Sequence, residues 1–85
     1  MNEINLAYYE KKDWNRLLEV IDDKENMHNT WKKWNKASLK LKKKLTSQGF
    51  AVKDVIVNID DLIVYCEIRG IKNDGKSRSQ FVSKK

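Results

Sequence analysis

The chain has 85 residues, 40% apolar and 35% charged, with a net charge of +6. A chain this short buries only about 60% of its unfolded surface around one core, which excludes a second domain. Its longest apolar run, Leu62-Ile63-Val64-Tyr65-Cys66, is far below the roughly 18 residues of a membrane span, and Met1-Asn2-Glu3 does not open a signal peptide, so a soluble, cytoplasmic protein without membrane contact is expected.

Taken in chain order, Ile4-Asn5-Leu6-Ala7-Tyr8 partly alternates and reads as extended. Behind Asp13, a residue type suited to capping, Trp14, Leu17, Leu18 and Ile21 recur at i, i+3, i+4, i+7 and predict a short amphipathic helix. An acidic turn, Asp22-Asp23-Lys24-Glu25-Asn26, ends it. A long helix over roughly 26–48 follows, because Met27, Trp31, Trp34, Leu41 and Leu45 keep helical spacing and Gly49 stands where a left-handed C-terminal cap belongs. The apolar residues Trp31, Trp34, Leu41 and Leu45 are expected to face the core, with Trp14 beside them. Val52 to Ile59 is rich in β-branched residues and predicts a strand, which needs a partner in Ile4 to Tyr8 or in a second copy of the chain.

Asp60 to Gly70 reads in two ways. As a strand it forms a hairpin with its predecessor, but Asp60-Asp61 lacks the Gly or Asn that a two-residue turn prefers. As a helix it has Asp60 as N-cap, an acid in the first turn and Gly70 at its C-terminal end, and the helix is the reading adopted. Asn73-Asp74-Gly75 then caps a last short helix through Phe81 and Val82. The expected fold is therefore α+β, a single mostly helical domain over 1–85 in the order α-α-β-α-α, with two helices packed on a β-hairpin as the alternative.

Charge is segmented along this chain. Residues 1–25 are net −3; 26–53 hold eight lysines and no acid, net +8; 54–69 are net −3; and 70–85 are net +4. On the long helix, at about 100° per residue, Lys32, Lys33, Lys36, Lys40, Lys43 and Lys44 fall within an arc of about 120° opposite the apolar stripe. The bland account of such an arc is a solvated helix back, although a back kept only for solubility normally interleaves acids with its bases.

Asp13-Trp14, the pair Trp31 and Trp34, Gly49, the strand ending in Asp60, and the run from Tyr65 to Arg78 resemble a group of small bacterial proteins to which no role is attached. That likeness spans nearly the whole chain and implies helices over 60–69 and 75–82 without bringing an activity. Leu62, Arg69-Gly70-Ile71, Gly75, Lys76 and Phe81 also resemble the SAP-type helix-loop-helix that binds DNA, with Lys76 and Phe81 each one residue from the motif's position. This implies a DNA contact in the C-terminal third.

No catalytic constellation stands out. A single cysteine cannot close an internal disulfide, and Cys66 with the single His28 falls short of a four-ligand zinc site, so no metal or other cofactor is expected. Cys66 on an apolar face reads as a small buried hydrophobe, and His28 beside Asn26 and Asn29 as an exposed capping residue at a helix start. Asp60, Asp61 and Glu67 echo a nuclease carboxylate cluster, but Asp60 is better explained as a cap. The expectation is a non-enzymatic protein that binds DNA or RNA phosphates through Lys32, Lys36, Lys40 and Lys43 and through Lys76 and Arg78. Its rival is a protein-interaction module, such as an accessory or inhibitory factor of a mobile element, or a homodimer joined through the strand edge.

Overall fold

The structure is a computed structural model and describes residues 2–85. Its order is β1 (Glu3–Tyr8), α1 (Trp14–Val20), α2 (Trp31–Ser47), β2 (Ala51–Ile56), α3 (Ile59–Arg69) and α4 (Gly75–Ser83), with short 3₁₀ turns at Lys11–Asp13 and Lys24–Asn26. The α+β class and the succession of four helices around β2 agree with the sequence reading. β1 is the segment read as extended over Ile4 to Tyr8, and it forms a two-stranded parallel sheet with β2. Parallel strands need a long crossover, here α1 and α2. The hairpin alternative, in which Asp60 to Gly70 would pair with β2, is overturned because Ile59–Arg69 is helical. β2 finds its partner within the chain, and pairing across a second copy is not needed to satisfy it.

The register sets Leu6 beside Asp54 and Ala7 beside Val55, so each face of the sheet is fixed by alternation. On one face Tyr8 meets Trp34 of α2, and Lys42 of α2 pairs with Asp54. On the other, Asn5 Nδ2 donates to the Val82 carbonyl of α4 at 3.0 Å. Helices therefore cover both faces, with α2 on one side and α4 on the other. α3 packs on α4 through an edge-on contact of Tyr65 with Phe81. The core gathers Trp14 and Leu17 from α1, Val55 from β2, Ile59, Leu62 and Cys66 from α3, Phe81 and Val82 from α4, and Tyr9, Ile21 and Val57 from the connections.

Local chemistry explains the helix ends. Asn58, not Asp60, caps α3: its side-chain oxygen accepts from the Asp61 N–H at 3.0 Å. Asp60 and Asp61 then occupy the first turn, where carboxylates meet the positive end of the helix. Asp74 caps α4 by accepting from the Ser77 N–H at 3.0 Å, as its position suggests. Asp13 precedes α1 but makes no capping bond, because a 3₁₀ turn leads directly into that helix. No helix among the described residues is long and apolar enough to cross a membrane.

Candidate polyanion-binding surface

α2 begins four to five residues later than its periodicity suggests. Thr30 is the cap, its Oγ1 accepting from the Lys33 N–H at 3.2 Å, and His28 lies exposed in the turn before it. Trp31 Nε1 donates to the Tyr9 carbonyl at 2.7 Å, which ties the first turn of α2 to the end of β1. Trp34 sits among Tyr8, Tyr9, Trp14 and Trp31, with ring centroids 5.2 to 6.5 Å away. At the other end, Gly49 takes φ +92°, and the Phe50 N–H reaches back to the Leu45 carbonyl at 3.1 Å, closing a Schellman cap.

The aromatic end therefore fixes how α2 is rotated on the sheet. Trp31, Trp34 and Leu45 are half-buried, whereas Leu41, expected in the core, is 47% exposed, and no residue of α2 is fully buried. The cause is the width of the platform. Two strands about 4.8 Å apart cannot support the whole apolar face of a helix about 10 Å across, so Leu41 overhangs.

The opposite side of α2 carries Lys32, Lys33, Lys36, Lys40, Lys43 and Lys44, all exposed. Of the lysines on this helix only Lys42 is ion-paired among the described residues, with Asp54 of β2, and it stands outside the arc. The helix contains no acid, so six ammonium groups stand along one face without a carboxylate partner. Lys32 to Lys44 span about 18 Å at 1.5 Å per residue.

The C-terminal pair divides. Lys76 is exposed in the first turn of α4, which lies across the sheet from α2, so it does not join the ridge. Arg78 is only 4% exposed and corrects the expectation of a phosphate contact there. Its Nη1 and Nη2 donate to Asp23 Oδ1 and Oδ2 at 2.9 and 2.7 Å, and Nη1 also donates to the Asn73 carbonyl at 3.0 Å. Asn73 N–H in turn donates to Asp22 Oδ2 at 2.7 Å, and the Asp22 N–H to the Asn73 carbonyl at 2.9 Å. Asp22 and Asp23, read from sequence only as part of an acidic turn, thus clasp the start of α4. The Arg78 hydrogen bonds hold the Asp23 carboxyl below the ordinary carboxylate range.

Elsewhere, burial pushes the Cys66 thiol up, which opposes thiolate formation. A cleft of about 280 Å³ beside it is lined by Val20, Asp22, Ile63, Cys66, Glu67, Gly70, Ile71 and Asn73. Among the described residues no three His, Cys, Asp or Glu side chains are grouped to hold a metal ion. Comparison with protein-family models, with curated proteins and with solved structures returns no match.

Proposed function

We propose that the protein is a non-catalytic, cytoplasmic binder of nucleic-acid backbone, with the exposed face of α2 as its contact surface. The observation that carries this reading is the row of six lysines without a carboxylate among them. Such a row presents positive charge every few ångströms to a polymer that carries about one phosphate charge per 1.7 Å of duplex axis, and binding is driven by release of condensed counterions. Trp31 and Trp34 point toward the sheet and not into this row, so the contact is to phosphates, without base stacking. Lys32, Lys36, Lys40 and Lys43 are the principal contacts. The resemblance of the C-terminal third to the SAP-type motif supports an added contact at Lys76; Arg78 makes none, its guanidinium being taken up by Asp23.

The test is fluorescence anisotropy with duplex DNA and duplex RNA across a salt series. Affinity is expected to fall steeply with salt, and the triple variant Lys36→Gln, Lys40→Gln, Lys43→Gln to reduce the logarithmic slope by up to about 0.9 per lost contact. Glutamine keeps helix propensity nearly unchanged, so the fold survives the substitution. Absence of binding by the unmodified protein at low salt would sink the proposal.

A further inference from the structure

The outward face of α3 has no account in the reading above. Ile68 is 77% exposed, Val64 stands one turn before it, and these two form an apolar stripe on the solvent side of the helix. Asp61 and Glu67 flank that stripe on its two sides, exposed and without an ion-pair partner among the described residues. A surface of this kind fits a helix that carries an exposed apolar side chain beside a row of bases. The chain itself carries one: on α2, Leu39 is 55% exposed at the margin of the lysine arc, next to Lys32, Lys36 and Lys43. α2 lies on one face of the sheet, and α3 packs against α4, which lies on the other. One molecule therefore cannot bring its own two surfaces together.

We infer that the α3 face of one copy receives the α2 face of another, in a head-to-tail contact that pairs Leu39 with the Val64 and Ile68 stripe and lysines with Glu67 and Asp61. Because donor and acceptor surfaces differ, the contact does not close on itself as a two-fold dimer would; it propagates into short chains or rings. Few apolar atoms are involved and the ion pairs lie at the rim, so the association is weak and sensitive to salt. It does not rest on the nucleic-acid reading. The α3 surface takes no part in phosphate binding, so substitutions there separate the two.

The experiment is sedimentation equilibrium on nuclease-treated protein into the millimolar range at low salt. The weight-average mass is expected to climb above the 10.1 kDa of one chain and to return to it at about 1 M salt, where the Debye length is about 3 Å. Val64→Ser with Ile68→Ser, and separately Lys36→Glu with Lys40→Glu and Lys43→Glu, should each hold the protein at the one-chain mass. All five positions are exposed, and circular dichroism confirms that each variant is folded. Mixed in equal amounts, the two variants should form a species of twice the chain mass and nothing larger, since each retains one working surface. A one-chain mass for the unmodified protein at every concentration overturns the inference. So does association that survives the α3 substitutions, which would point to pairing at a free strand edge, or a mixture that stays monomeric.

Discussion

Arg78 joins segments 55 residues apart, and its planar fork, bidentate on Asp23, is what a lysine could not reproduce. Removing one partner of a buried pair leaves the other charge without compensation, so Arg78→Ala should lower stability by about 3–5 kcal/mol, read from urea unfolding. Arg78→Lys should recover only part of that. Asp23 supplies a second test. Its folded-state pKa is depressed, so the native protein binds fewer protons than the unfolded chain as Asp23 titrates. Its contribution is whole above about pH 4, the ordinary carboxylate value, and is lost as pH falls through the lowered one. Thermal melts between pH 6 and pH 2 should therefore show an acid loss of stability that is shallower in Asp23→Asn than in the parent. Asp60, lowered by its hydrogen bond from Arg16, and Asp74, lowered by the Ser77 N–H, shift in the same direction and are untouched by Asp23→Asn.

The elements are decided mostly at their ends. Both Gly49 and Gly70 hold a left-handed backbone, at φ +92° and +61°, and nothing lies within 4 Å of where a Cβ would stand. The cost of a side chain there is conformational and not steric with neighbours. Gly70→Ala should cost about 1–2 kcal/mol, and Gly70→Asn less, since asparagine tolerates this region; chemical denaturation of the two variants measures the difference. The same cap explains why 59–69 is legible as a helix from sequence. Gly70 and a carboxylate-rich first turn signal both ends, although the cap is Asn58, because side-chain geometry and not residue rank chooses between neighbouring capping types. α2 was legible in its existence, its C-terminal end and the direction of its lysine arc, though not in its start at Trp31, since periodicity of 3.6 residues and a glycine cap mark the first three. The exposure of Leu41 was not, because it depends on how wide a sheet lies beneath the helix.

At the scale of the molecule, a minimal sheet is clasped between helices that are very unequally buried. α3 places Ile59, Leu62 and Cys66 in the core, while α2 places no residue fully inside. The C-terminal half of α2, beyond the tryptophans, is therefore less held by the core than α3 is. Native-state hydrogen exchange should show the amides of Leu39 to Thr46 exchanging faster than those of Leu62 to Cys66, and equal protection in both helices would contradict this ranking. A long helix held chiefly at its aromatic end is also well suited to present a charged face, since its outer surface owes nothing to the core.

Periodicity, capping residues and charge segmentation were enough to define four helices, the strand β2, a single apolar stripe on α2 and the lysine arc opposite it. These are local properties, set by residues within a few positions of one another, and the sequence states them directly. The parallel pairing of β1 with β2, the burial of Arg78 against Asp23 and the overhang of Leu41 depend on separate segments of the chain meeting in space. Arginine and lysine look alike in a charge count, and only the surroundings that folding supplies determine that Arg78 serves the core while the lysines of α2 remain at the surface.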